Sequence, residues 1–167
     1  MSDVLVREAR PGDGAALARI HVEAAEYYAR LAPREFQVPS LDGLAEALDP
    51  RPEPRDDAVH RVAEVDGDVA GAVIASLLPP LANAWVQLQP GLDRPRLQIH
   101  FLEVAEPYCR RRIATRLVEA AEAWGRERGA ASAITDTYLG SPLSIPFWKE
   151  RMQYRERSVV LVKDLRG

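Results

Sequence analysis

Four arginines, Arg110, Arg111, Arg112 and Arg116, crowd one short stretch of a chain whose net charge is −3 over 167 residues. They lie in Glu106-Pro-Tyr-Cys-Arg-Arg-Arg-Ile-Ala-Thr-Arg-Leu117, where a strand-like run gives way to a helical stripe. A helix start already carries unpaired N–H groups and partial positive charge. Four guanidinium groups there are unfavourable unless an anion sits among them, and a phosphate would use both kinds of donor. Charge by itself fits a solvated basic turn equally well, with Glu119 and Glu122 as partners for the arginines.

Proton chemistry has its candidates just upstream. Histidine is the usual side chain for proton transfer near neutral pH, and His100 is the first choice for a general base, with Glu103 as its rival. In an alternating strand Gln98, His100, Leu102 and Val104 share one side and Glu103 takes the other. The simpler reading of His100 is a strand histidine hydrogen-bonded in place. Tyr138 and Tyr154 are the hydroxyls available as a general acid, although tyrosines more often pack with a wet tip. Cys109 is the only cysteine, so no internal disulfide can form. No His or Asp pattern accompanies it, and a nucleophilic role is not expected even though the neighbouring arginines would lower its pKa. His21, His60 and His100 have no metal-ligand spacing, and no metal is expected.

Composition narrows the class. An apolar fraction of 47% with 28% charged residues is that of an ordinary globular domain, expected to be a single one over 1–167. The acidic balance argues against general nucleic-acid binding. No apolar run approaches the roughly 20 residues of a membrane span, and the N-terminus lacks the apolar core of a signal peptide. A cytoplasmic protein is expected.

The elements that hold these residues read as follows. Val4–Ala9 alternates as a short strand, and Pro11-Gly12-Asp13 breaks it and offers Asp13 as a helix N-cap. Leu17, Ile20, Ala24 and Leu31 then recur at helical spacing. A second short helix follows Ser40, with Leu41, Leu44 and Leu48 on one side, and Pro50, Pro52 and Pro54 end it. Val59–Val65 and Val69–Leu78 are strands around an Asp66-Gly67 hairpin signal. Ala84–Gln89 is a candidate strand extension. Leu97–Ala105 is a strand whose apolar residues change phase from Leu97, Ile99 and Phe101 to Leu102 and Val104, which predicts a bulge. Ile113, Leu117, Ala120, Ala121 and Trp124 mark a helix ending near Gly129. Ala131–Tyr138, Pro142–Met152 and Ser158–Val162 complete the chain as strand, helix and strand.

That order, with a bulged strand leading through a basic loop into a helix, resembles the GNAT (N-acetyltransferase) superfamily over nearly the whole chain. The family's Q/R-x-x-G-x-G/A loop cradles the pyrophosphate of CoA, and Cys109-Arg110-Arg111-Arg112-Ile113-Ala114 stands at its positions, followed by Thr115. The flanks Val104, Pro107, Leu117 and Ala120–Ala121 match, and Phe147-Trp-Lys-Glu-Arg-Met-Gln-Tyr154 is similar to the family's F-Y-…-G-F/Y element. Departures are specific. Cys109 replaces Gln or Arg, Arg112 replaces the first motif glycine, Ser141 stands where an Asn often meets the cofactor, and Trp148 where a Tyr acid is usual.

The resemblance implies an α/β (α+β) fold with a mixed, mainly antiparallel sheet of six to seven strands and about four helices. It implies acetyl-CoA as co-substrate and direct acetyl transfer to a primary amine of a small molecule or protein. The cofactor would be held by Cys109–Thr115, by Ser141 and Trp148, and by the main chain near Leu102 and Val104, where an exposed N–H could polarise the thioester carbonyl. Arg112 would keep helical dihedrals and point its side chain away. The first helix would line the acceptor site, with His21, Glu23, Glu26 and Tyr28 as candidates, although an ordinary charged helix face explains each of them too. A degenerate domain that binds CoA or a partner without catalysis is the alternative, and an unrelated α/β module binding another anion is a third. A homodimer would cover exposed strand edges and the Trp85 segment.

Overall fold

The computed structural model describes residues 3–53 and 55–165, in two compact units that divide between Asp136 and Thr137. The first unit holds one sheet of five strands: β1 (Val4–Glu8), β2 (Ala58–Val65), β3 (Asp68–Leu78), β4 (Arg96–Val104) and β5 (Ser132–Thr135), side by side in chain order. Pairing is antiparallel from β1 to β4, and β5 joins β4 in parallel. Three helices belong to this unit: α1 (Gly14–Leu31), α2 (Leu44–Leu48) and α3 (Ile113–Glu127). β2 and β3 join through Asp66 and Gly67 at φ 52° and 92°, the left-handed pair that a two-residue hairpin turn requires.

Alternation along β2 and β3 sends side chains to two different helices. Val62, Val69 and Ala72 pack against Leu17 and Ile20 of α1, and Ala105 joins them. Gly71 takes the opposite side, where a Cβ would lie 3.2 Å from Ile113 Cγ2 of α3. The apolar stripe anticipated for α3 is its inner face: Ile113, Leu117, Ala121 and Trp124 are buried, with Val118 beside them. Each fully buried Leu or Ile on such a face contributes roughly 1.5–3 kcal/mol.

Asp13 is the N-cap residue of α1, but its carboxylate does not cap the helix. It accepts hydrogen bonds from Arg7 (2.8 and 3.0 Å) and from the Arg10 N–H (2.9 Å). Asp49, just past α2, instead takes the Gly12 and Gly14 N–H groups at 2.9 and 2.8 Å, which ties α2 to the start of α1. Sequence position alone assigns a cap to the nearest Asp; the fold supplies one from 35 residues away.

The β4 bulge exists and is located by the register: Ile74 faces Phe101 while its neighbour Ala75 faces Ile99, so His100 is the extra residue. The strand count is five, not six to seven. Ala84–Val86 is a 3-10 turn rather than a strand extension, and Trp85 there is exposed. Ser158–Val162 is not a strand. The second unit contains no other strand among its described residues, and Val159–Val162 are exposed, so the run has neither a ladder partner nor a buried face to make it a strand. That unit carries α4 (Ser144–Pro146), which continues as a π-helical turn over Phe147–Arg151 where a single helix was expected.

Candidate functional site

A cavity of about 40 Å³ opens on the α1 side of the sheet. Leu17, Ile20, Leu48, Ala72, Ile74 and Phe101 make it apolar, and His21, His60 and Glu103 are its polar groups. Every strand residue here is placed by register: His60 faces Ile74, Ile74 faces Phe101, and Glu103 faces Ala72. The bulge decides what β4 contributes. One extra residue at position 100 reverses the alternation, turning Phe101 and Glu103 towards α1 while Leu97 and Ile99 stay buried in the core. A strand without it would hide the carboxylate from this cavity.

Glu103 Oε1 lies 2.8 Å from His21 Nδ1, with both side chains about a quarter exposed or less. When the carboxylate is ionised only the imidazole can donate in this contact. Burial pushes the Glu103 carboxyl above its ordinary pKa, and the hydrogen bond from His21 opposes that push. His21 is also fixed edge-on against Phe101, ring centres 5.8 Å apart. His60 has a buried Nε2 with no hydrogen-bond partner among the described residues, and desolvation lowers its pKa.

His100 takes up a different position from the one expected of it. Its Nε2 meets Ser76 Oγ at 2.7 Å on the exposed surface, and it does not line the cavity. Ser76 follows Ala72 and Ile74 on the same side of β3, so His100 and Glu103 share a side of the sheet. The expectation that they face opposite ways fails because the bulge falls at His100 itself.

Beyond Ile99 the far edge of β4 is open: β5 pairs only with Arg96–Ile99, so Leu102 and Val104 have no strand partner on that side in this unit. Next to this edge the chain forms a 3-10 turn (Glu106–Tyr108) and enters α3. Arg110 and Arg112 have φ of 69° and 61° on either side of Arg111. The first bond closing α3 runs from the Arg116 N–H to the Arg112 carbonyl, so the N–H groups of Ile113, Ala114 and Thr115 precede the helix ladder. Such a run of main-chain donors suits an anion. None of the four arginines makes an ion pair among the described residues; Glu122 pairs with Arg126 instead, and Arg111 lies 5.6 Å from the Tyr108 ring centre. The donors and the unpaired charge fit a pyrophosphate.

Arg112 thus does what a glycine would do there, in left-handed rather than helical geometry. A non-glycine residue in that region costs about 1–2 kcal/mol. Arg112→Gly is therefore expected to be more stable than Arg112→Ala by about 1 kcal/mol, read from the two denaturation midpoints. Equal midpoints would mean the left-handed geometry is absent in solution. Cys109 donates towards the Ala105 carbonyl at 3.7 Å, and burial, then Glu106 and Glu23, raise its thiol pKa against the opposing pull of Arg110. A thiolate is disfavoured there.

The remaining α1 candidates lie outside the cavity. Glu23 Oε2 accepts the Glu106 N–H at 3.2 Å and so pins the turn ahead of the basic loop. Glu26 is 4.0 Å from Arg30 one turn along, and Tyr28 packs its ring on Tyr27 and Phe36. Four other candidates belong to the second unit. Trp148 is buried between Phe147 and Tyr154, whose N–H donates to the Trp148 carbonyl at 2.8 Å. Ser141 Oγ accepts the Ser144 N–H at 3.1 Å, and the Ser141 N–H donates to the Tyr138 carbonyl. Of the nine cavity residues only His21 and Glu103 were site candidates from the sequence; His60 and Phe101 are among those it did not single out. For Phe101 the phase change on β4 was the available signal; for His60 there was only alternation with Val59 and Val62.

Among the described residues no three His, Cys, Asp or Glu side chains converge on a metal-sized site, and no helix is long and apolar enough to cross a membrane. The family model described as the acetyltransferase (GNAT) family matches residues 20–154. No curated protein sequence matches the chain. Among solved structures, a transcriptional regulator from Bacillus halodurans C-125 is 16% identical with a TM-score of 0.74, covering 98% of this chain and 100% of its own. An acetyltransferase from Trypanosoma brucei is 20% identical at TM-score 0.67, with 98% and 100% covered. An aminoglycoside N-acetyltransferase in complex with CoA is 18% identical at TM-score 0.65, with 100% and 97% covered.

Proposed function

The chain belongs to the GNAT acetyltransferase family, and we propose that it moves an acetyl group from acetyl-CoA directly to a primary amine. The observation that carries the proposal is the Glu103 carboxylate, held by His21 at 2.8 Å in a largely apolar cavity beside a bulged strand. An amine attacks only after losing its proton, and a carboxyl group whose pKa is raised by burial is a better proton acceptor than one in water. Glu103 is the general base in this reading, acting directly or through one water. His21 is a positioning residue, and His100 is left outside the reacting centre.

Acetyl-CoA supplies the activated thioester. The N–H groups of Ile113, Ala114 and Thr115, with Arg110, Arg111 and Arg112 around them, hold its phosphates by charge-assisted bonds. The open edge at Leu102 and Val104 offers main-chain groups to the rest of the cofactor and to the thioester oxygen. A likeness to a CoA complex of an aminoglycoside N-acetyltransferase supports this reading at the level of the fold.

The test is calorimetric titration with acetyl-CoA followed by thiol release with a panel of amines. Binding with amine-dependent release is expected. Binding without release from any amine would assign a CoA-binding domain without catalysis, and no binding at near-millimolar cofactor would remove both readings. His100→Ala is expected to keep turnover within about threefold, because an exposed hydrogen bond to Ser76 is worth roughly 0.5–1.5 kcal/mol at most and lies off the cavity. A drop of a hundredfold would restore His100 as the base.

A further inference from the structure

As the acceptor site of the proposed transfer, on which reading this inference rests, the cavity limits the kind of amine that can enter. Six of its lining residues are apolar and its one carboxylate, Glu103, is already engaged by His21. A volume of about 40 Å³ has room for roughly three water-sized groups. A second ammonium carried into that space would meet no further carboxylate among the described lining residues, since Glu23 and Glu26 do not line it. Burying such a charge without a partner is strongly unfavourable. Among the described residues, the buried lining atom without a hydrogen-bond partner is Nε2 of His60, on the β2 strand across from Ile74. Burial disfavours the charged form of that imidazole, which suits it to share a hydrogen bond rather than to balance a charge.

We infer that the acceptor is a compact monoamine with a short aliphatic body and at most one uncharged hydrogen-bonding group, which His60 Nε2 receives. Polycationic amines, aminoglycosides included, are excluded by the same surface. His60 is thereby a specificity-determining residue with no part in the acetyl transfer step.

Three acceptors of equal length separate the terms: butylamine, 3-aminopropan-1-ol and propane-1,3-diamine, each assayed by thiol release at saturating acetyl-CoA, with sisomicin as the polycation. The aminoalcohol is expected to have the highest kcat/KM, butylamine to follow, and the diamine and sisomicin to fall at least tenfold below butylamine. His60→Leu is expected to lower the aminoalcohol-to-butylamine ratio by about three- to tenfold, the range of one hydrogen bond. A fault in folding would lower both rates and leave the ratio unchanged. A diamine or sisomicin rate above that of butylamine, or a ratio indifferent to His60→Leu, overturns the inference while leaving acetyl transfer intact. Failure of every amine overturns the acetyltransferase reading itself, and the inference with it.

Discussion

Glu103→Gln is expected to lower kcat/KM by about 10²–10⁴-fold, the usual contribution of a positioned general base. The substitution keeps size and hydrogen-bonding reach but removes the acceptor for the amine proton. Burial, the larger influence, raises the Glu103 pKa, and the His21 contact only partly opposes it. The base acts when ionised, so kcat/KM should rise with pH through a limb above the ordinary carboxylate range and fall as pH drops below it. Glu103→Gln should abolish that limb along with the rate. Stability should not decrease much, because burial already disfavours the charged form that the variant lacks. An unchanged rate and an unchanged acidic limb would remove Glu103 from the mechanism and leave the cavity as an ordinary part of the core.

Gly71→Ala carries the second large effect, and it acts on the fold at the point where the site is assembled. A Cβ at position 71 would lie 2.9 Å from the Glu103 carbonyl oxygen, 3.1 Å from Val104 Cγ2 and 3.2 Å from Ile113 Cγ2. Two of these neighbours sit at the end of β4 and the third begins α3, so relief requires the strand or the helix to move. Overpacking of this kind costs about 1–3 kcal/mol, a large share of the roughly 5–15 kcal/mol that holds a domain folded. A lower denaturation midpoint at unchanged m-value is expected, with a higher KM for acetyl-CoA because the α3 N-terminus shifts against the β4 edge. A midpoint equal to that of the parent protein would show that β3 and α3 stand further apart than the structure has them.

Legibility followed the range of the interaction involved. The α3 stripe from Ile113 to Trp124 was readable because a helix repeats every few residues and one face must be covered. The Asp66-Gly67 hairpin was readable because two left-handed residues in succession favour few side chains. The β4 bulge was visible as a phase change, but its position was not. Pattern puts the change near Leu102, whereas pairing with β3 puts the extra residue at His100. That offset reversed the expectation for the base, since it turned Glu103 towards α1.

The failures share a cause. Ser158–Val162 has strand-forming residues, yet a strand exists only with a partner, and none is described in its unit. Glu23 reads as a free charge on a helix face until the Glu106 N–H, 83 residues away, is found against it. Arg112 departs from a motif glycine but adopts the glycine's left-handed conformation, which no residue type announces in advance.

By itself, then, the sequence determined the order of elements from β1 to β5, the faces that must be buried, and the concentration of positive charge at a helix start. All three are local or periodic properties. Only the tertiary structure decided which carboxylate enters the cavity, which histidine holds it, and which histidine there has no side-chain partner among the described residues. Those depend on register between strands distant in the chain, where one inserted residue moves every later side chain to the other side of the sheet.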